Sequence, residues 1–290
     1  MPGGVWTRRR ARAVALGTLH PHAASVLTFY ERVLGLQEAT ALTVETSAWL
    51  PSDVDRQGIP VPVDRLAIGR HVQEFKRFVH AVGDLGAAST EVLAAATRRL
   101  AEAPGTTVED VLTTFVSHTP LDSVAETLTC PPEPLECLSR AFMQPVCEVL
   151  ATRSDPAETP LTDSAAVGGT PATCPRCGAL PQLAVLRDEA DVKGRRTLMC
   201  SLCSTEWVFP RATCPSCGCT DTEQLHYHTS DPWPHVRVEE CRRCQTYLKA
   251  IDLRRDGLAV PLVEEIASVE LDLWAEESNL RKVQRNLVGL

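Results

Sequence analysis

Cysteines are the residues of this sequence whose types and spacing are best suited to chemistry. The chain contains 12 of them, and eight form four Cys-x-x-Cys pairs separated by 22, 10 and 23 residues. Two thiolates spaced in this way can face one ion and supply half of a tetrahedral shell, so that two pairs make a closed four-sulfur site. The pattern therefore predicts two metal ions per chain. The predicted ligands are Cys174, Cys177, Cys200, Cys203, Cys214, Cys217, Cys241 and Cys244.

The lengths of the gaps indicate which pairs act together. A gap of 22 or 23 residues accommodates two strands and a loop, whereas the gap of 10 residues has the length of a connector. Pairing in sequential order is therefore the simplest arrangement, and an interleaved arrangement stays open. Four sulfur ligands suit iron or zinc, and ligand type alone does not choose between them. Because such a site has no open position that could activate water, we expect structural or redox metal and no catalytic residue.

The four pairs carry the marks of an internal repeat. The first and third pairs share the motif Cys-Pro-x-Cys-Gly, which ends at Gly178 and Gly218. Glycine there allows the positive φ that points backbone N–H groups at sulfur. The second and fourth pairs are followed by Ser204 and Gln245 instead. Since the two motifs lie about 40 residues apart, the sequence predicts two copies of one ribbon unit.

The elements before the cysteines are predicted to be helical. Apolar residues recur at helical spacing in segments 22–37 and 64–82. Thr106 and Glu109 form a capping-box pattern, and Pro134 is suited to begin a last helix. No phosphate loop, nucleophile elbow or paired-histidine motif occurs in this half of the chain. These helices are therefore expected to form a packed bundle.

The second half changes from helical to alternating patterns. Residues 152–173 are rich in proline, glycine, serine and threonine, which is typical of a linker. Short alternating runs then predict strands between the cysteine pairs, and apolar residues over 260–277 predict a final helix. The predicted strands are Gln182–Arg187, Arg196–Met199, Thr205–Phe209, Val236–Glu239 and Tyr247–Ile251.

Together these patterns predict an α+β protein. An N-terminal helical domain is followed by two tandem modules of rubredoxin-like or zinc-ribbon type and by a closing C-terminal helix. The predicted boundaries are 1–151 for the helical domain, 152–173 for the linker, 174–212 and 213–257 for the two ribbons, and 258–290 for the C-terminal helix.

Composition narrows the possible partners and compartments. The net charge of −8 gives no general attraction to nucleic acid, and segment 174–257 has 12 basic against 11 acidic residues, without a basic face on average. A nucleic-acid-binding ribbon protein is therefore kept only as an alternative.

No apolar run approaches the length of a membrane span. Residues 8–19 weakly resemble a signal peptide, but a frayed first helix with a basic flank is the preferred interpretation. Regular cysteine pairs without a convincing export signal favour the cytoplasm.

Two aromatic residues follow the cysteine pairs that close each predicted site. Trp207 lies four residues after Cys203, and Tyr247 lies three residues after Cys244. The preferred interpretation places both in the hairpin core, because a small ribbon needs a large apolar side chain. If they were exposed, they would be natural anchors for a protein partner.

Several stretches resemble the formate dehydrogenase accessory protein family, FdhE. In the ribbon region these are the knuckle with its trailing Thr-Glu-Trp at 200–207, the segment 240–249 with its Tyr-Leu-Lys, and the Glu-Glu and Leu-Asp-Leu motifs within 264–273. The helical domain adds Ala-Phe-Met-Gln-Pro at 141–145 and His-Pro at 20–21. The resemblance is high over 174–280 and thinner over 10–151.

This resemblance implies an accessory factor rather than an enzyme. It implies a cytoplasmic protein with two rubredoxin-like sites that can hold iron, which contacts the catalytic subunit of formate dehydrogenase during maturation. The eight paired cysteines correspond to the ligands of the family, whose pattern offers no catalytic residue. Most of 40–62 matches nothing in the family pattern. A rubredoxin-like electron carrier remains an alternative function.

Overall fold

The computed structural model describes residues 3–44, 49, 63, 66–86, 90–153, 172–190 and 192–289. The chain forms two compact units, of which one comprises Met1–Asp155 with Leu287–Gly289 and the other comprises chiefly Pro156–Asn286. Most of the predicted linker lies outside the described residues, and the finer domain boundaries remain predictions. Within the part of the chain described here, no helix is long and apolar enough to span a membrane.

The first unit is helical, as the apolar periodicity predicts. Helix α2 packs against both α1 and α7, and α3 packs against α4 and α5. An aromatic group at the centre of the bundle joins Phe75 and Phe78 to Phe142, and Trp49 stacks on His71 with ring centroids 3.5 Å apart. The helices are α1 (Gly3–Leu19), α2 (Ala24–Val44), α3 (Val72–Gly83), α4 (Glu91–Glu102), α5 (Gly105–Val116), α6 (Asp122–Leu128) and α7 (Pro132–Arg153).

One helix begins earlier in the chain than the sequence predicts. Helix α5 begins at Gly105 with Pro104 at its N-cap, and the cap makes no side-chain hydrogen bond. Thr106 therefore lies inside the first turn, and the predicted capping box of Thr106 and Glu109 is wrong. Proline at the cap already supplies an extended residue ahead of the helix, with φ −55° and ψ 150°.

The second unit is built on a mixed sheet whose order is β3-β2-β1-β6-β5-β4, with β7 pairing to β6. All neighbouring pairs are antiparallel except β1 with β6 and β6 with β7. The predicted strands are present with small shifts in their ends, and β4 and β7 were not predicted. The strands are β1 (Pro181–Arg187), β2 (Arg195–Cys200), β3 (Glu206–Val208), β4 (Leu225–Ser230), β5 (Trp233–Cys241), β6 (Thr246–Asp252) and β7 (Arg281–Lys282).

The sheet order shows how the two ribbons are joined. Strands β1, β2 and β3 form the first ribbon, and β4, β5 and β6 repeat the same succession in the second. The last strand of the second ribbon pairs in parallel with the first strand of the first ribbon, through partners such as Ala184 and Ala250. Both of these alanines are 0% exposed. The tandem ribbons therefore share one continuous sheet and one core.

The C-terminal helical segment is present but divided. Helix α8 spans Pro261–Ala267 and helix α9 spans Val269–Glu277, with the break at Ser268, where ψ is 40°. The side chain of Lys249 donates to the carbonyl of Glu265 and to the side chain of Ser268. These contacts to strand β6 lie where the helix breaks, and the single helix predicted over 260–277 is wrong at this position.

A buried ionic network connects β6 and β7 to these helices. Asp272 accepts hydrogen bonds from Lys249 at 2.6 Å and from the hydroxyl of Tyr247 at 2.9 Å, and Lys282 lies 2.8 Å from it. Glu265 lies 3.5 Å from Lys249. Burial lowers the pKa of Lys249, while in spite of burial the two lysines hold the pKa of Asp272 below its usual value. Two lysines face two carboxylates, so the network is balanced in charge.

Candidate metal centres

The structure brings the eight paired cysteines together in two groups of four. Within each group, the four Sγ atoms all lie within 4.8 Å of one another. The grouping follows sequential pairing, which the gap lengths favoured. The first tetrad consists of Cys174, Cys177, Cys200 and Cys203, and the second tetrad consists of Cys214, Cys217, Cys241 and Cys244.

Sulfur–sulfur distances in both tetrads suit a tetrahedral ion. In the first tetrad the Sγ atoms of Cys177 and Cys200 are 3.3 Å apart, and those of Cys174 and Cys203 are 3.6 Å apart. A tetrahedral ion with metal–sulfur bonds of about 2.3 Å sets its ligands roughly 3.8 Å apart. The first tetrad is therefore slightly contracted from this geometry.

The second tetrad comes closer to that spacing. The Sγ atoms of Cys214 and Cys244 are 3.7 Å apart, and those of Cys217 and Cys241 are 3.8 Å apart. Each tetrad could hold one metal ion, and iron and zinc both accept four thiolates. Four protein sulfurs complete a tetrahedral shell, so the donor set fits a closed site rather than one that keeps a position for substrate.

The backbone of the cysteine pairs follows one pattern in all four copies. The residue after the second cysteine of each pair has a positive φ: 75° at Gly178, 54° at Ser204, 70° at Gly218 and 54° at Gln245. The αL residue turns the chain back over the site, and N–H groups approach sulfur, as where Leu202 donates to Cys200 at 3.3 Å. Glycine adopts this conformation after the first and third pairs, and Ser204 and Gln245 adopt it after the second and fourth pairs.

Threonine hydroxyls add a contact that sequence reasoning missed. Thr205 Oγ1 lies 3.2 Å from Cys203 Sγ, and Thr246 Oγ1 lies 3.0 Å from Cys244 Sγ. Burial acts to raise the pKa of Cys244, but Thr246 and the neighbouring thiols outweigh it and lower that pKa to about 7. The signal was present in the sequence, since both threonines stand two residues after the last cysteine of their ribbon.

Trp207 and Tyr247 both lie in the core of the second unit. Trp207 is 0% exposed and Tyr247 is 1% exposed. The phenol of Tyr247 is also engaged, because its hydroxyl donates to Asp272. Their burial favours the hairpin-core interpretation. An anchoring role would require exposed side chains, and neither side chain is exposed.

Two further groups lie near the tetrads. Cys219 is buried and packs with Cys214 and Cys241, at the place that Ala179 occupies in the first ribbon: Cys214 N–H donates to the carbonyl of Cys219 as Cys174 N–H does to that of Ala179. Separately, His235, Asp256 and Glu264 bring three potential ligand atoms within 4.8 Å. Sequence analysis missed this group because its members share no spacing motif.

Comparison with known proteins places both tetrads within matched domains. A model of the FdhE central domain matches residues 173–211, which contain the first tetrad. A model of the FdhE C-terminal domain matches residues 213–288, which contain the second tetrad. The two matches meet at the connector between the ribbons.

Individual relatives each match about two-fifths of the chain. The FdhE homologue of Aquifex aeolicus is 45% identical over 116 residues, which cover 40% of this chain and 41% of the relative. The homologue of Pseudomonas putida is 32% identical, with 41% of this chain and 39% of the relative covered. The homologue of Haemophilus influenzae strain PittGG is 32% identical, with 38% and 35% covered. The chain thus spans about two-fifths of the length of these relatives.

The likeness in fold extends over nearly the whole chain. The crystal structure of the FdhE protein from Pseudomonas aeruginosa superposes with a TM-score of 0.71 and covers 98% of this chain and 95% of that chain. The sequence identity in this superposition is 24%, so it speaks for the fold alone. The helical unit therefore shares its fold with that protein.

Proposed function

We propose that this protein is an accessory factor for formate dehydrogenase, because models of two FdhE domains match residues 173–211 and 213–288. In this proposal it acts on the maturation or activity of the enzyme by binding the catalytic subunit through a protein surface. The observation that carries the proposal is that the two matched domains of the family coincide with the two cysteine tetrads. The fold likeness to a solved FdhE protein, which covers 98% of the chain, supports it.

The metal chemistry of the proposal follows from the closed tetrads. We propose that Cys174, Cys177, Cys200, Cys203 and their four counterparts in the second tetrad hold two ions, iron or zinc, in a structural or redox role. Four thiolates around one ion leave no place for substrate, so the protein acts by contact rather than by catalysis. Paired metal-binding thiolates persist in a reducing compartment, which supports a cytoplasmic location.

A genetic experiment tests the accessory role. A deletion strain of the native host is complemented with the wild-type gene, with Cys203→Ser or with Cys244→Ser, and formate dehydrogenase activity is measured in lysates. The proposal expects activity to fall in the deletion and to return with the wild-type gene. Normal enzyme activity in the complete deletion would remove the accessory-factor proposal. A pull-down of the tagged protein from the same lysates, analysed for the catalytic subunit, tests the contact itself.

A rubredoxin-like electron carrier is the second candidate. The observation that favours it is the partial exposure of Cys217 and Cys244, since electron transfer needs a metal centre near the surface. This function requires iron in the second tetrad. Gently purified protein should then be red and show a reversible one-electron couple, and colourless protein that contains only zinc would exclude it.

A further inference from the structure

The two tetrads differ in their access to solvent. In the first tetrad all four cysteines are buried, with exposures between 0% and 4%. In the second tetrad Cys214 and Cys241 are each 3% exposed, whereas Cys217 and Cys244 are only partly buried. One edge of the second tetrad, formed by the last cysteine of each of its two pairs, therefore faces outward.

The first strands of the two ribbons differ in exposure in the same direction. Strand β1 of the first ribbon lies at the centre of the sheet, and all its residues except Arg187 are buried. Strand β4, the corresponding strand of the second ribbon, is an edge strand along which every residue is exposed or only partly buried. Tyr227 of β4 is 68% exposed. The first strand of the second ribbon is therefore far more exposed than the first strand of the first ribbon, as the cysteines are.

A cavity also reaches the second tetrad, at its two buried cysteines. It has a volume of about 180 Å³, and its lining includes Cys214 and Cys241 together with Arg211, Tyr227 and Thr246. Arg211 is itself exposed, so the lining of this cavity reaches solvent. The second tetrad is thus approached both through the exposed edge at Cys217 and Cys244 and through this cavity.

We propose that the two tetrads differ in the rate at which they release their ions, and that the second tetrad is the one that gives up its ion to external ligands. The first tetrad keeps its ion as a fixed part of the fold. This inference rests on the proposed binding of one soft ion, zinc or iron, by each tetrad. It assigns different tasks to two sites whose ligands and spacing are nearly the same.

Ligand exchange needs access to the sulfur that leaves. As an external ligand attaches to the ion, Cys217 or Cys244 gives up its bond to the ion, and the freed thiolate takes a proton from water. At the first tetrad the same step requires the buried Cys-x-x-Cys pairs to open first. Each 1.36 kcal/mol of additional barrier slows a step by about tenfold, so we expect release from the second tetrad to be at least roughly tenfold faster.

Chelator kinetics on the full-length, zinc-loaded protein test the proposal. The dye 4-(2-pyridylazo)resorcinol is mixed in excess with the protein, and the absorbance of its zinc complex is followed with time. We expect two phases of equal amplitude, one ion in each. Cys217→Ser should remove the fast phase and leave the slow phase, whereas the matched variant Cys177→Ser should remove the slow phase. A single phase for both ions would overturn the proposal.

A second measurement needs no variant and so does not depend on how the variants fold. The wild-type protein is sampled during release, its free thiols are alkylated, and its peptides are measured by mass spectrometry. Peptides that carry Cys214 to Cys244 should be labelled in step with the fast phase, and peptides that carry Cys174 to Cys203 with the slow phase. The opposite order would overturn the proposal.

The outcomes also separate this inference from the proposed function. Protein that binds no ion under any loading condition would overturn metal binding and the inference with it. Two ions that leave in one phase would overturn the difference in lability and leave metal binding intact. Normal formate dehydrogenase activity in the deletion strain would overturn the accessory role and leave the difference in lability standing.

Discussion

Val185 of β1 and Ile251 of β6 are partners in the parallel pair that joins the two ribbons. Both side chains are 0% exposed. Ile251 also faces Val236 of β5 in the antiparallel register, so it contributes to both of the ladders that β6 makes. This position joins the hydrophobic interior of one ribbon to that of the other.

Ile251→Ala should destabilise the whole sheet unit. Removal of a buried isoleucine to alanine typically costs about 2–5 kcal/mol, and Ile251→Val, the matched control, about 0.5–1.5 kcal/mol. Because the sheet is continuous, we expect hydrogen-exchange protection to fall in both ribbons. A loss confined to the second ribbon would contradict a shared core.

Loss of one metal ligand should destabilise the sheet unit and spare the helices. Structural metal contributes directly to folding free energy, on the order of 10 kcal/mol in zinc-finger peptides. Cys203→Ser or Cys244→Ser should therefore lower the metal content measured by elemental analysis to about one ion per chain and reduce hydrogen-exchange protection in the sheet. Helical circular dichroism should be largely kept, since α1 to α7 belong to the other compact unit.

Wild-type protein and Cys219→Ala provide the comparison for that experiment. Cys219 is buried beside the second tetrad but stands where the first ribbon has Ala179. We expect two ions per chain in both proteins. Fewer than two in gently purified wild type would contradict the assignment of the tetrads, and loss of an ion in Cys219→Ala would make Cys219 a ligand.

Gln245→Gly should stabilise the protein. Gln245 has a φ of 54°, in the left-handed region, which costs a residue with a side chain roughly 1–2 kcal/mol and costs glycine little. The corresponding residue of the third pair is Gly218, with a φ of 70°. We expect Gln245→Gly to raise the free energy of unfolding by about 1 kcal/mol in urea titrations. Gln245→Ala is the control and should bring no such gain.

Glu239→Gln should weaken the sheet in a manner that depends on pH. Glu239 Oε2 accepts from the buried Arg196 at 2.6 Å, and Oε1 accepts from Arg237 at 2.6 Å. Burial opposes ionisation, but the two guanidinium groups outweigh it and hold the pKa of Glu239 below its usual value. Removing the charge leaves Arg196 buried without its partner, which typically costs about 3–5 kcal/mol near pH 7.

The sign of the pH effect follows from the lowered pKa. The contribution of Glu239 is fully present above the pKa of an unfolded glutamate, about 4.3, and is lost as pH falls through the folded value. The difference in unfolding free energy between wild type and Glu239→Gln should therefore shrink below about pH 4. Glu189→Gln is the control, because its pair with Arg195 is partly exposed and should contribute about 0–1 kcal/mol. A constant difference across this range would contradict the ion-pair explanation.

Local patterns of the sequence determined the elements and the ligands. The Cys-x-x-Cys pairs, their 22- and 23-residue gaps and the apolar periods of α2 and α3 indicated two ribbons after a helical bundle. These predictions succeed because turn geometry and helix periodicity depend on neighbours along the chain. They fail where the tertiary structure decides: β4 carries polar residues as an edge strand, and the last helix breaks at Ser268, whose side chain accepts a hydrogen bond from the distant Lys249.

The tertiary structure alone decided how the two copies of the ribbon are used. Nothing in the spacing of the cysteines indicates that β1 pairs with β6, because that contact joins residues about 65 positions apart through side chains that pack on both faces of the sheet. The order of the strands places β1 and β6 inside the sheet and β4 at one of its edges, and Trp207 and Tyr247 lie in the core. Nearly identical motifs thus become one closed tetrad and one tetrad with an exposed edge, because exposure depends on what packs against a site rather than on the residues that form it.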